Sequence, residues 1–208
     1  VIIRKYDVNP FDFLISDYAT SYPFFYSKEE EIMLSPYMAT KALIERTMEG
    51  WIKQVWSDKE FINTLPLPIK LNQLIFKSFE YEKREEKGVQ LAEYTIDTGR
   101  GTCRDFANLF MLSARYLGFA ARFVSGYVYS DLHISQPSST HAWSEVYIPG
   151  AGWKGFDPTF GILVGADHIS VAVSRHPELI PPVSGKYYGN SSSTMSFDIR
   201  VTEIASDF

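Results

Sequence analysis

The sequence predicts an α+β fold in which N-terminal helices, and a further helix opened by a cysteine, pack on an antiparallel β-sheet. Two changes of pattern carry that prediction. Apolar residues recur at helical spacing between about residues 37 and 117, and from Ala121 onward they alternate with a period of two. A turn, Pro149-Gly150-Ala151-Gly152, then separates two alternating runs, as expected for a hairpin.

In chain order, Val1–Val8 alternates weakly and reads as a strand broken by Asn9-Pro10. Residues 11–34, with Phe11, Phe13, Tyr18, Tyr22, Phe24, Phe25 and Tyr26, read as irregular structure packed on a core. Ser35-Pro36 has the chemistry of a helix start, with Ser as cap and Pro at the first helical position. The helix is then expected from about Tyr37 to Trp56, placing Leu43, Ile44, Met48, Trp51, Ile52 and Val55 on one side, with Gly50 weakening it. Leu65-Pro66-Leu67-Pro68 stops and restarts the chain into a second helix bearing Leu71, Leu74, Ile75 and Phe79.

The charged run 80–88 reads as a solvated turn, and 89–98 as a lead into the next helix. That helix opens at Cys103 and carries Ala107, Phe110, Ala114 and Leu117 before Gly118 stops it. Strands follow at Ala121–Tyr129, His141–Ile148 and Trp153–Asp157, with residues 131–140 as a loop. Ile169–Val173 and Met195–Ile204 add strands, and Ser191–Thr194 reads as a polar turn.

Composition narrows the function. With 45% hydrophobic and 22% charged residues over 208 positions, the chain can fill a core and is not of disordered type. A net charge of −5, with no basic run interleaved with aromatics, argues against nucleic acid as a partner. No apolar run is long enough to span a membrane, and none is expected as a partner. No leader is visible at Val1, which is not Met and so fits a fragment or processed product. One cysteine excludes an internal disulfide framework and any Cys-rich zinc site, and the cytoplasm is the expected compartment. No metal and no cofactor is expected, because no His/Asp/Glu spacing on one helical face suits a ligand set.

The candidate chemistry centres on Cys103, which follows Gly99-Arg100-Gly101-Thr102 at a helix start. The positive end of the helix dipole favours an anionic side chain there. A cysteine nucleophile needs a base, and the base needs an orienting acceptor. Of His133, His141, His168 and His176, His141 is best placed, at the first residue of a strand. Asp157 ends the next strand. A hairpin loop of three or five residues, pairing Ile148 with Gly152 or Tyr147 with Trp153, sets Asp157 opposite Trp143. It is then one diagonal step from His141 on the same face, roughly 7–8 Å between Cα atoms. A four-residue loop would send the two to opposite faces, so the pairing requires an odd loop or a bulge. Each residue alone has a plainer reading: a small buried hydrophobe for Cys103, a surface histidine for His141, a turn residue for Asp157. The ordered set of all three is the informative signal.

Gly101-Thr102-Cys103-Arg104-Asp105-Phe106-Ala107 and Arg115-Tyr116-Leu117-Gly118-Phe119-Ala120-Ala121-Arg122-Phe123-Val124-Ser125-Gly126-Tyr127 resemble the core of bacterial transglutaminase-like proteins, often described as cysteine proteases. His141-Ala142-Trp143-Ser144-Glu145-Val146-Tyr147 and Gly152-Trp153-Lys154-Gly155-Phe156-Asp157-Pro158-Thr159 are similar to that family's His and Asp blocks, in the same order. The likeness continues through His168–Val173 and Pro182-Val183-Ser184-Gly185, and opens at Leu34-Ser35-Pro36-Tyr37, covering about residues 33–204. Two departures stand out: Ser174-Arg175-His176-Pro177 where the family commonly has Gly-Arg-Asp, and Asn108 where a His is frequent.

The resemblance implies a papain-like α+β core over 33–208, with residues 1–32 as a β or irregular remnant of a small preceding domain. It implies Cys103 as nucleophile, His141 as general base and Asp157 as its orienter, with a peptide or protein as substrate. The expected reaction is acyl transfer or hydrolysis through a thioester, with protease or amidase ahead of cross-linking because no amine site or acidic calcium loop is visible. Arg104 and Asp105 read as exposed or capping residues of the first helical turn. The rival from another class is a non-catalytic peptide-binding module that keeps the fold.

Overall fold

A computed structural model describes residues 1–6, 9–39, 45–57, 60–84, 86–129, 140–185, 188–189, 196, 199–202 and 204. Among the described residues, five α-helices precede the main sheet: α1 (Lys28–Met38), α2 (Glu45–Ile52), α3 (Pro66–Ser78), α4 (Ala92–Thr98) and α5 (Cys103–Tyr116). Four two-residue strands lie before and between them. β1 (Ser21–Tyr22) pairs antiparallel with β2 (Ile62–Asn63), and β3 (Glu80–Tyr81) pairs parallel with β4 (Arg100–Gly101). The main sheet comprises β5 (Ala121–Val128), β6 (Thr140–Ile148), β7 (Gly152–Asp157), β8 (Ile162–Leu163) and β9 (His168–Ser174). Its order is β8-β7-β6-β5-β9, antiparallel throughout. The α+β class and the antiparallel sheet are therefore as expected.

α5 is the centre of the molecule. The sequence shows a stripe of Ala107, Phe110 and Ala114, but the buried set also takes in Asp105, Asn108, Ser113 and Arg115. A helix covered on nearly every side is a core helix, not a surface one. Phe110 stacks on Phe156 of β7, and Ser144 of β6 donates its hydroxyl to the Ala107 carbonyl at 2.6 Å. Leu67, Leu71 and Ile75 of α3, with Met48, Trp51 and Ile52 of α2, complete the same core. At the far end of α5, the Arg115 guanidinium donates to the carbonyls of Ala121, Arg175 and Ala39, joining the start of β5, the residue after β9 and the residue after α1.

The N-terminal reading needs correction. Residues 1–6 form no strand, and positions 7 and 8 lie outside the described residues. The first long helix starts at Lys28, not after Ser35-Pro36. Ser27 caps it through a capping box, accepting from the Glu30 N–H while the Glu30 carboxylate accepts from the Ser27 N–H at 3.0 Å. Pro36 sits inside the helix, where it leaves the Ile32 carbonyl without its helical donor. The Ser35 hydroxyl reaches that carbonyl at 3.3 Å. A boundary at 32/33 falls within this helix. The segment 11–34 also holds a 3₁₀ turn at Asp17–Ala19 and β1. Leu43 and Ile44 lie outside the described residues. α2 ends at Ile52, leaving Val55 buried in the turn that follows.

Residues 92–98 form α4, where the sequence suggested only a lead-in, and β8 is a short strand that the pattern did not mark. The second helix is found at Pro66–Ser78, with Pro in its first turn. The loop at 131–139 and the turn at Ser191–Thr194 lie outside the described residues. Of Met195–Ile204, the described positions 196, 199–202 and 204 are not in a strand.

Candidate active site

The β6–β7 connection decides the geometry of the site. Ile148 pairs with Gly152 and Tyr147 with Trp153, so the loop has three residues, an odd number as the pairing of His141 with Asp157 requires. Pro149 and Gly150 occupy the middle of a turn closed by the Ala151 N–H on the Ile148 carbonyl, and Gly150 has φ 83, which suits glycine at that position. The register runs without a shift to Ser144↔Phe156, which carries Asp157 to the level of Trp143.

There His141 Nε2 meets Asp157 Oδ2 at 2.7 Å. Both side chains are buried. Burial works against charge on the imidazole, but the adjacent Asp157 carboxylate and then Cys103 more than reverse this, raising His141 to about 10. Asp157 is likewise pushed up by burial and pulled well below the ordinary carboxylate range by His141 and His168. Phe160 stacks on the His141 ring at 5.1 Å, almost parallel, and so shields the imidazole on one face.

Cys103 lies close enough to the same imidazole to add to that rise. With Nε2 spent on Asp157, Nδ1 is the ring nitrogen left for the sulfur. Cys103 is placed by the start of α5. Gly99 ends α4 in a left-handed conformation, φ 68, which lets the chain reverse into β4. Thr102 then caps α5, its side chain accepting from the Asp105 N–H, while the Asp105 carboxylate accepts from the Thr102 N–H and hydroxyl, each at 2.8 Å. The N–H groups of Cys103 and Arg104, at the first two helical positions, have no acceptor within the helix by its own geometry.

Asp105 and Arg104 are not exposed. Asp105 is buried and accepts from Arg84 through Nε at 2.9 Å and Nη2 at 2.8 Å, and from the Gln90 N–H at 2.7 Å. The run 80–88 is therefore more than a solvated turn: Arg84 reaches from it into the base of α5. Arg104 lies 4.8 Å over the Phe123 ring and donates to the carbonyls of Pro177 and Ile180. Asn108 is buried and donates to the Gln90 carbonyl at 3.2 Å. Tyr81, opposite Gly101 across the β3–β4 pair, is pushed up to about 12 by burial first, and by the nearby Cys103 and Asp105.

One residue of the cluster carried no separate weight in the sequence. His168, at the start of β9, places Nε2 2.9 Å from the same Asp157 oxygen as His141. His141, Asp157 and His168 form the one group of three described His/Cys/Asp/Glu residues whose donor atoms lie close enough for a metal, within 4.8 Å of one another. Both imidazole Nε2 atoms, however, are engaged with the carboxylate. His176 is exposed in the turn after β9, away from this group, and His133 lies outside the described residues.

A family model described as the transglutaminase-like superfamily matches residues 66–158. An uncharacterised protein of Mycobacterium leprae is 31% identical over 110 residues, and one of Mycobacterium tuberculosis 35% over 124, each match taking in 51% of this chain and 39% of the relative. The chain thus spans well under half the length of those relatives. A crystal structure from Cytophaga hutchinsonii, described as a candidate cysteine protease, superposes with a TM-score of 0.57 at 24% identity, over 69% of this chain and 47% of that one, a likeness of fold. Residues 66–158, which hold Cys103, His141 and Asp157, thus match the transglutaminase-like superfamily.

Proposed function

We propose that this chain is a cysteine-dependent enzyme acting on peptide or carboxamide bonds through a thioester, with hydrolysis ahead of cross-linking. The observation that carries the reading is the line from Asp157, hydrogen-bonded to His141, to Cys103, which acts on the same imidazole. Its three members arrive from a helix start and two adjacent strands. A nucleophile, a base and an orienting acceptor in contact are what acyl transfer by a thiol requires.

In the first half-reaction His141, held charged beside Asp157, already carries the proton, and the Cys103 sulfur bonds as the thiolate to the substrate carbonyl carbon. The oxyanion that forms is met by N–H donors at the start of α5, where the helix dipole also favours negative charge. Collapse breaks the C–N bond, and His141 returns the proton to the leaving ammonia or amine. In the second, His141 takes a proton from water, whose oxygen attacks the thioester carbonyl, and the sulfur leaves as the thiolate beside the charged imidazole. An amine in place of water gives cross-linking. Asp157 keeps the imidazole oriented and balances its charge in both halves. The substrate on this reading is a peptide or protein.

The test is the rate of Cys103 alkylation by iodoacetamide as a function of pH, in the native protein and in His141→Ala. Reaction well below about pH 8, lost in the variant, is the expected outcome for a sulfur served by a neighbouring imidazole. A Cys103 that stays inert until the protein unfolds would sink the enzymatic reading and leave a peptide-binding module with a buried thiol.

A further inference from the structure

Asp157 is served by more donors than orienting one imidazole needs. Its Oδ1 accepts the Thr159 N–H at 2.9 Å, and its Oδ2 takes both His141 and His168. His168 comes from β9, which pairs with the opposite side of β5 from β6, so the carboxylate is gripped from two separate parts of the sheet. The ring is 2% exposed and packs edge-on against Trp143, at 5.2 Å and 81°.

Its tautomer follows from its neighbours. The Gly165 N–H points at His168 Nδ1 at 3.4 Å, which makes that nitrogen an acceptor and leaves the proton on Nε2, facing Asp157. His168 thus gives Asp157 a fixed N–H donor while His141 exchanges its proton with sulfur. The bulge between Ser125 and Gly126 in the β5–β9 pairing sits beside this arrangement. At Gly126 a Cβ would collide with the Ile169 carbonyl and come within 2.8 Å of the Trp143 ring, so the absence of a side chain there lets β9 approach with His168 at its head.

We propose that His168 is a positioning residue for the acyl-transfer machinery: through Nε2–H it pins Asp157 Oδ2 in line with His141 Nε2. This rests on the enzymatic reading, in which Asp157 orients His141. A histidine retained only for packing would need no donor aimed at that oxygen.

The experiment compares His168→Leu, which removes the donor, with His168→Gln, whose side-chain amide can supply an N–H at about the position of Nε2. Thermal unfolding shows how much of each variant is folded. Two readouts follow on folded protein: the iodoacetamide rate of Cys103 near neutral pH, and the downfield NMR proton signal of the His141–Asp157 hydrogen bond. The expected result is an alkylation rate lower by about tenfold in His168→Leu, the worth of one hydrogen bond to a charged group, with most of it restored in His168→Gln. The His141 signal should shift or broaden in the first variant and return in the second. If His168→Leu does not fold, His168→Asn serves instead, its amide too short to reach Asp157. Equal rates and an unmoved His141 signal in the variant without the donor would overturn the proposal. Loss of rate that His168→Gln does not restore would also overturn it, leaving His168 a packing residue. His141→Ala, run alongside, separates the two ideas: no effect there defeats the enzymatic reading, whereas an effect there with none at His168 defeats only this inference.

Discussion

Two buried aspartates, Asp105 and Asp157, meet the same cost in different ways. Each carboxylate is pushed up by burial and brought below its ordinary range by the donors around it. Asp105 is surrounded by the Arg84 guanidinium, the N–H groups of Gln90 and Thr102 and the Thr102 hydroxyl, none of which gives up a proton near neutral pH. Asp157 is held chiefly by two imidazoles, one of which, His141, also stands beside the Cys103 thiol. The first arrangement is a clamp that holds the start of α5. The second can pass a proton. Burial and pairing alone therefore do not distinguish a reactive carboxylate from a structural one; the protonation chemistry of its partners does.

The strongest way to break this contrast is to neutralise each in turn. Asp157→Asn should lower Cys103 reactivity by a thousandfold or more, on the scale of about 10⁴ known for loss of an orienting carboxylate. Asp105→Asn should instead lower stability by about 3–5 kcal/mol in urea unfolding, because it strands a partly buried guanidinium. If folded Asp105→Asn protein loses reactivity as heavily as Asp157→Asn, the two carboxylates share one role and the distinction fails.

A pH series sharpens it. His141 is raised from 6.5 to about 10, so its pairing stabilises the fold fully below about pH 6.5 and loses that effect as pH rises through about 10. Asp157 is lowered from 3.8, so its share is present above that pH and lost as the solution becomes more acidic. The stability difference between the native protein and Asp157→Asn should peak between about pH 4 and 6.5 and then decline toward pH 10. The corresponding difference for Asp105→Asn should stay level across that alkaline range, since Arg84 is raised further by its bond to Asp105. Urea midpoints at pH 5, 7 and 9 would check both curves.

The smallest effect belongs to the cap. Thr102→Ala removes the hydroxyl from the capping box and should cost about 1 kcal/mol, read as a lower denaturant midpoint with an unchanged slope. A much larger loss would mean that Thr102, and not Arg84, is the main support of Asp105.

Much of the candidate site was legible because it is local. The Cys103 helix start, the strand ends at His141 and Asp157, and the parity of the loop between them can all be read within short windows. What escaped depends on distance or on competition between local rules. Arg84 lies in a charged run whose pattern says only that it is solvated, and its partner is 21 positions away. His168 meets Asp157 because β9 adds to the far side of β5, which no periodicity reports. Ser35-Pro36 obeys the rule for a helix start, yet Ser27 with Glu30 offers a reciprocal cap, and the stronger signal sets the boundary.

The three-residue link at Pro149–Ala151 makes chain length itself a chemical variable. Gaining or losing one residue there, with strand pairing kept, would reverse which side of the ribbon every later side chain of β7 occupies, taking Asp157 out of reach of either imidazole. A change of two would leave it where it is. The hairpin thus behaves like an even–odd switch written into the backbone, and the connection between two strands is as much a determinant of reactivity as the residues that react.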